Sequence, residues 1–149
     1  MLKKILFIIL IILNTSCDYK PIHLNKENSY EITTINVTGD DEINEYLVKE
    51  LMRKSKKSNE KVKLKINTNF SKRVLAKNTK SFATDYELKV TGNFELINDE
   101  KSQSFIINEK FRYKNLNDNY EQSNYEKMIK INLANIILSK INLKINNLR

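Results

Sequence analysis

The sequence lacks most of the residue types from which catalytic and metal sites are built. Its 149 residues include one cysteine, one histidine and two glycines, and tryptophan is absent. Two glycines are too few for a glycine-rich loop that cradles phosphate, and no HExxH, GxSxG or metal-ligand spacing occurs. The histidine, His23, lies in a polar N-terminal segment, and we interpret it as a solvated residue. The sequence therefore predicts a protein that is not an enzyme and uses no cofactor or metal.

Acidic residues are too few to balance the basic ones. The chain has 26 Lys and Arg against 18 Asp and Glu, which gives a formal net charge of +8. Such an excess raises nucleic acid or an acidic surface as a partner. The alternative is codon bias, because the chain is rich in Lys, Asn and Ile and nearly lacks Ala, Gly and Pro. Since no zinc-binding, helix-turn-helix or RNP-like motif occurs, we expect no nucleic acid partner.

One short apolar run stands near the N-terminus. Two lysines precede this run, 5–13, and the small residues Thr15 and Ser16 follow it. A basic start, a short apolar run and small residues are typical of a secretory signal peptide. A membrane-spanning helix needs about 20 apolar residues, so this run is too short to be a stable anchor by itself.

Cys17 follows this segment directly, and the arrangement resembles a bacterial lipobox. The resemblance implies that residues 1–16 are a lipoprotein signal peptide and that Cys17 becomes the first mature residue, with diacylglycerol on its sulfur. Residues 17–29 would then comprise the lipidated cysteine and an N-terminal tether. The alternative is an ordinary signal peptide with an incidental free cysteine. A lone thiol is unusual in an exported protein, because cysteines in that oxidising compartment tend to pair.

Residues 30–149 are predicted to form a single domain of strands and helices. Alternating or β-branched residues predict four strands, at about 30–37, 62–70, 86–96 and 104–114. Apolar residues at helical spacing predict two amphipathic helices, at about 40–55 and from Asn124 onward. We therefore predict an α+β two-layer sandwich of order β-α-β-β-β-α, with both helices on one face of a sheet of about four strands.

Three finer features follow from the same pattern. The polar and basic stretch 71–80 is predicted to be a loop, and 115–123 a polar connection. Gly92 has the parity of the apolar residues in the third strand, which predicts a β-bulge or a close backbone approach there. Residues 98–101 are predicted to form a hairpin turn between the third and fourth strands.

The start of the predicted mature chain, Cys17-Asp18-Tyr19-Lys20-Pro21, resembles the opening of the LPS-assembly lipoprotein family (LptE), which commonly reads Cys-Gly-Phe-x-Pro. The rest of the chain is similar in order and size. It has an Ile-rich strand, an amphipathic helix, a basic connection, a long Tyr-x-Leu-x-Val strand and a C-terminal helix. The resemblance spans nearly the whole chain, and Cys-x-aromatic-x-Pro is its local motif.

This resemblance implies a lipoprotein that binds rather than catalyses. It implies attachment to the outer membrane through a lipid anchor, on the periplasmic side. The implied partner is the outer-membrane β-barrel LptD, which the lipoprotein plugs and helps to assemble, and the implied ligand is lipopolysaccharide, whose insertion into the outer leaflet it assists. The alternative is a lipid-anchored periplasmic module that binds another anionic ligand or tethers an envelope complex.

The face of the sheet away from the helices is predicted to be basic. Lys63 and Lys65 alternate with apolar residues in the second strand, and the fourth strand repeats this pattern. The candidate contacts for lipopolysaccharide or a partner are eight cations on this face and its rim: Lys63, Lys65, Lys72, Arg73, Lys77, Lys110, Arg112 and Lys114. Such cations match phosphate through charge-assisted hydrogen bonds. The alternative is a solvated face in a lysine-rich protein.

Replacement of Cys17 tests the predicted lipidation. Because the apolar run is too short to span a bilayer, we expect Cys17→Ala to release the protein from membranes or to leave an uncleaved precursor. Membrane fractionation together with N-terminal sequencing measures both effects. A variant that fractionates like the wild type, with a normally processed N-terminus, would contradict lipidation at Cys17.

Overall fold

The computed structural model describes residues 30–98, 101–116 and 118–147. Six elements follow one another in these residues: β1 (Glu31–Gly39), α1 (Asp41–Lys54), β2 (Lys61–Lys77), β3 (Ala83–Asn98), β4 (Lys101–Lys114) and α2 (Asn119–Asn146). The strands form one sheet in the order β1-β2-β3-β4, in which β1 is parallel to β2 and the other neighbours are antiparallel. The predicted α+β layout is thus confirmed.

The predicted signal peptide, 1–16, and the tether with Cys17, 17–29, lie outside the described residues. The middle of the predicted turn, 99–100, also lies outside them. In the part of the chain that the structure describes, neither helix is long and apolar enough to cross a membrane.

The core lies between the sheet and the two helices, and alternation along the strands builds it. In β2 the side chains of Val62, Leu64 and Ile66 are buried, while the lysines between them are exposed. β3 buries Leu88 and Val90 in the same cluster, to which both helices add apolar side chains. Because successive side chains of a strand point to opposite faces, the other face of the sheet remains exposed to solvent.

The start of α1 is fixed by a glycine and an aspartate. Gly39 has a φ of +101°, and a Cβ at this position would collide with the backbone of Thr68, so glycine is required. Asp40 caps the helix, because its side chain accepts a hydrogen bond from the Ile43 N–H at 3.0 Å. The Asp40 N–H donates to the Thr68 carbonyl at 3.1 Å. These bonds join the start of α1 to the middle of β2.

A partly buried lysine links the two helices. The Nζ of Lys130 in α2 lies 2.9 Å from a carboxylate oxygen of Asp40 and 2.9 Å from one of Glu42, and its side chain is 13% exposed. Burial opposes the charge of Lys130, but the hydrogen bonds to Glu42 and Asp40 outweigh it and raise the pKa of Lys130. The packing of α2 against α1 is therefore specified by charge as well as by apolar contact.

Two predicted boundaries differ from the structure. β2 continues through 71–77, which the sequence pattern predicts to be a loop, because β3 extends far enough to pair with it. Residues 71–77 are exposed on both faces, so their sequence lacks the alternation that marks a half-buried strand. α2 begins at Asn119 rather than Asn124, since Asp118 caps it by accepting a hydrogen bond from the Glu121 N–H at 2.8 Å.

Gly92 pairs in continuous register with both neighbouring strands, so the predicted β-bulge is absent at this position. The ring of Phe94 covers the glycine, and a Cβ there would overlap the ring. The close approach is therefore made by a side chain rather than by backbone. The register shifts of β2 in this pairing lie further along the strand, between Val74 and Lys77.

The apolar stripe of α2 is rotated from the one that residue spacing suggests. Spacing places Met128 and Ile136 on the stripe, but they are 54% and 43% exposed. Ala134 and Leu138 are buried instead. Around the helix they lie on the opposite side of Ile137 from Ile136. The pattern defines a wide apolar sector, and packing against the sheet and α1 decides which part of it is covered.

Neighbouring isoleucines of α2 give a matched test of this packing. Ile137 is fully buried, whereas Ile136 is 43% exposed. We expect Ile137→Ala to lower the free energy of unfolding by about 2–5 kcal/mol through the cavity it leaves. Ile136→Ala should cost less than about 1 kcal/mol. Denaturant unfolding measures both, and equal losses would show that α2 does not pack with Ile137 inward.

Candidate functional site

The predicted cations of the sheet lie mostly on the face opposite the helices, hereafter the outer face, but they do not form one group. Lys63 and Lys65 lie near the start of β2, and Lys110 and Arg112 lie near the end of β4. The register places Lys110 level with Ser71 of β2, six residues beyond Lys65. At about 3.3 Å per residue, roughly 20 Å separate the two groups.

Arg73, Glu87 and Arg112 form an arginine clamp at one end of the outer face. The register of the three strands places Glu87 between the two arginines. One Arg73 Nη lies 2.8 Å from one carboxylate oxygen, and Arg112 Nε donates to the other at 2.9 Å. The Glu87 side chain is 3% exposed, whereas the arginine side chains are 66% and 62% exposed. The hydrogen bond from Arg112, aided by the charge of Arg73, holds the pKa of Glu87 below its usual value against the effect of burial.

Lys89 and Lys110 stand directly opposite each other beside the arginine clamp. Both are exposed, and among the described residues no carboxylate lies within ion-pair distance of either. Like charges opposite each other in an antiparallel pair repel and destabilise the sheet. The arginine clamp and these two lysines together, four cations around one carboxylate, are called the basic cluster. An anion bound between the lysines would relieve their repulsion.

A cavity of about 440 Å³ opens over the basic cluster. It is lined by Ser71, Arg73, Glu87, Lys89, Asn108, Glu109 and Lys110. The two carboxylates in this lining are already paired, Glu87 with the arginines and Glu109 with Lys140. Hydroxyl, amide, ammonium and guanidinium groups all donate hydrogen bonds, which suits an oxyanion such as phosphate. Within the ranges that the structure describes, no group of three or more His, Cys, Asp or Glu could hold a metal ion. The arrangement fits binding of an anion.

Two members of the basic cluster, Glu87 and Lys89, are not among the cations and contacts that the sequence predicts. Lys89 lies between Leu88 and Val90, which are both buried, so alternation in the third strand was a sufficient signal to place it on the outer face. Glu87 has the same parity, but its role depends on the register that brings two arginines to its sides. The sequence of one strand does not contain that information.

The other predicted cations lie elsewhere. Lys72 lies on the helix side of β2, where its Nζ is 2.5 Å from Glu126 and 4.4 Å from the centre of the Tyr86 ring. This corrects the prediction that Lys72 joins the rim of the outer face: because β2 continues as a strand, residue 72 has the parity of the buried positions. Lys65 is bonded to Glu95 at 3.1 Å. The remaining three predicted cations, Lys63, Lys77 and Lys114, are exposed and lie outside the basic cluster.

The contact of Lys72 belongs to a polar network that fixes α2 over the end of the sheet. Glu126 of α2 accepts hydrogen bonds from Lys72, from the Tyr113 hydroxyl and, at 3.0 Å, from the Gln122 amide. Burial opposes the charge of Glu126, but these bonds outweigh it and lower the pKa of its carboxyl group. Lys72 therefore has a structural role in the described chain.

Neither a protein-family model nor a curated protein matches the sequence. The fold, by contrast, is similar to solved structures of bacterial lipoproteins. One is rare lipoprotein B from Shewanella oneidensis, with a TM-score of 0.56 and 17% identity, covering 77% of this chain and 98% of that chain. Another is lipoprotein B from Nitrosomonas europaea, with a TM-score of 0.52 and 13% identity, covering 80% and 86%. The resemblance found in the sequence is thus confirmed at the level of the fold.

Removal of the Glu87 charge should change the response of the protein to acid. Because its folded pKa is depressed, Glu87 stabilises the fold above the pKa of an unfolded glutamate, about 4.3, and this contribution is lost as the pH falls through the lower folded value. We expect Glu87→Gln to lower the Tm at neutral pH and to weaken the loss of Tm on acidification. Thermal unfolding across acidic and neutral pH measures both.

Glu45→Gln is the matched control, because Glu45 is exposed on α1 and the substitution removes the same charge. We expect its Tm to follow that of the wild type at each pH. If both variants lose stability equally at neutral pH, the arginine clamp does not contribute in the way its geometry indicates.

Proposed function

We propose that this protein is a lipid-anchored outer-membrane lipoprotein that assists the insertion of lipopolysaccharide into the outer leaflet. The lipobox-like segment ending at Cys17 supports the anchor. The fold shared with rare lipoprotein B supports the class of protein. The basic cluster on the outer face is the main support for the proposal, because its four cations surround one carboxylate and leave a net positive charge that suits an anionic ligand. In this proposal the folded domain lies on the periplasmic side.

The phosphates of lipopolysaccharide would bind over the basic cluster. Arg73 and Arg112 retain N–H groups that Glu87 does not use, since a guanidinium group has five donors. Charge-assisted hydrogen bonds to phosphate are roughly twice as strong as neutral ones. Lys89 and Lys110 would add two charges whose repulsion the phosphate relieves. Because Glu87 already orients both arginines, less side-chain freedom is lost when the ligand binds.

The outer-membrane β-barrel LptD is the proposed partner, which this protein would plug and help to assemble. The motif Cys17-Asp18-Tyr19-Lys20-Pro21 and the shared fold support this part of the proposal. The second candidate is a lipid-anchored module for another anionic ligand or envelope complex. The chemistry of the basic cluster supports it equally, because any phosphorylated ligand offers the same oxyanion.

Neutralising the two unpaired lysines tests the ligand. Lys89→Gln with Lys110→Gln removes two positive charges and their repulsion but leaves the arginine clamp intact. We expect lipopolysaccharide binding to weaken at least about tenfold, because each glutamine amide donates without the positive charge that strengthens a hydrogen bond from an ammonium group to phosphate. The Tm should stay unchanged or rise, since like charges no longer oppose each other. Titration of labelled lipopolysaccharide and thermal unfolding measure the two effects.

The control is Lys61→Gln with Lys63→Gln, which removes the same charge from exposed positions at the other end of β2. We expect this pair to bind lipopolysaccharide nearly as the wild type does. Equal weakening by both pairs would mean that net charge rather than the basic cluster governs binding. Unchanged binding in the Lys89/Lys110 variant would remove the cluster as the lipopolysaccharide site.

A further inference from the structure

The hairpin between β2 and β3 ends in a closed turn, and residues 74–84 are called the hairpin tip. The Asn78 N–H donates to the Phe82 carbonyl at 2.9 Å, and the Asn78 side-chain oxygen accepts from the N–H groups of Lys80 and Phe82 at 2.9 and 3.0 Å. The Ser81 N–H donates to the Asn78 carbonyl at 2.9 Å, and Ser81 has a φ of +65°. Four hydrogen bonds to one residue therefore fix the shape of this turn.

Apolar side chains are exposed around this ordered turn. Phe82 is 66% exposed, Val74 44% and Leu75 38%. The register shifts of β2 fall here, between Val74 and Lys77, in the part of the strand that is exposed on both faces. Single exposed apolar residues are common on protein surfaces, but three of them at one hairpin end form a surface that favours an apolar partner.

The charge around these residues is of one sign. From Ser71 to Thr84 the sequence contains no acidic residue. Lys77 and Lys80 are exposed, and no carboxylate of the described chain lies within ion-pair distance of either. Apolar side chains beside unpaired lysines are typical of segments that lie in the interface of an anionic membrane. The apolar groups enter the boundary between headgroups and acyl chains, while the lysines remain at the lipid phosphates.

We propose that the hairpin tip is a second lipid-binding site, which docks onto an anionic phospholipid bilayer with Phe82 in the acyl boundary and Lys77 and Lys80 at lipid phosphates. The site goes beyond the proposed lipopolysaccharide contact, because it uses no residue of the basic cluster. β1 pairs with β2 from Lys61 onward, so the start of β1 lies at the opposite end of β2 from the tip. The 17 residues of β2 span roughly 50 Å. A lipid surface bound by the hairpin tip would therefore lie roughly 50 Å from the start of the folded domain.

Phe82→Trp provides the test, because the native chain contains no tryptophan and the new indole is the only one. The lipidated full chain is held in nanodiscs of neutral phosphatidylcholine. It is then mixed with separate vesicles of phosphatidylcholine and phosphatidylglycerol that carry brominated acyl chains. We expect a blue shift of the tryptophan emission and loss of its intensity by bromine quenching. Higher salt should restore the emission, because it screens the lysines.

Two sets of variants control this experiment. Met52→Trp places the indole near the end of α1, where Met52 is 51% exposed, and its emission should not change. In the Phe82→Trp chain, Lys77→Glu with Lys80→Glu should abolish the quenching. If this charge reversal lowers the Tm, the neutral pair Lys77→Gln with Lys80→Gln replaces it and should reduce the quenching. The proposal is wrong if Phe82→Trp keeps the emission of a solvated indole. It is equally wrong if brominated vesicles of phosphatidylcholine alone quench as strongly, or if Met52→Trp is quenched to the same extent.

Discussion

The cross-strand register of β2, β3 and β4 determines both what this sheet buries and what it exposes. Leu64 lies opposite Leu96 in the core, and the same register brings Arg73 and Arg112 to the two sides of Glu87. Because side chains alternate between the faces, a shift by one residue would turn the core toward water and the arginine clamp toward the helices. The arrangement of the basic cluster on the outer face therefore depends on the apolar packing of the opposite face.

In the basic cluster, a carboxylate partly neutralises the charge of the two arginines, whereas the charges of the two lysines have no ion-pair partner among the described residues. Glu87 neutralises one charge of the arginine pair, and removing it would leave the two guanidinium groups, on the strands that flank β3, without their shared partner. Lys89 and Lys110, in contrast, face each other across the β3–β4 pair, and in the described chain no carboxylate lies within ion-pair distance of either. A protein that retains two like charges opposite each other gives up some stability, which is the pattern expected of a binding site.

Most of the fold could be predicted from the sequence because its strongest signals are local. In residues 62–70 the inward positions are apolar except for Thr68, and they alternate with lysines and asparagines. This alternation fixes both the strand and the side that faces the helices. Residues 71–77 continue the strand without burial, so they carry no such signal and were predicted as a loop. The position of Lys72 on the helix side follows from the same missed extension.

The candidate site could be predicted only in part, because it is made by register rather than by any one segment. Parity and charge predict Lys110 and Arg112 on this face, and the basic stretch 71–80 predicts Arg73 at its rim. The structure brings the three together. The division between this group and Lys65, roughly 20 Å away, depends on how the strands are aligned. The burial of Glu87 also depends on the alignment of the strands, since its two arginine partners come from different strands.

The proposed function requires that this protein acts on lipopolysaccharide together with an outer-membrane barrel. Affinity purification of the tagged full chain from detergent-solubilised envelopes tests this requirement. We expect a large β-barrel protein to be recovered in stoichiometric amount, with lipopolysaccharide in the same complex. Recovery of the protein without a barrel, or with an envelope complex that contains none, would contradict the proposed function.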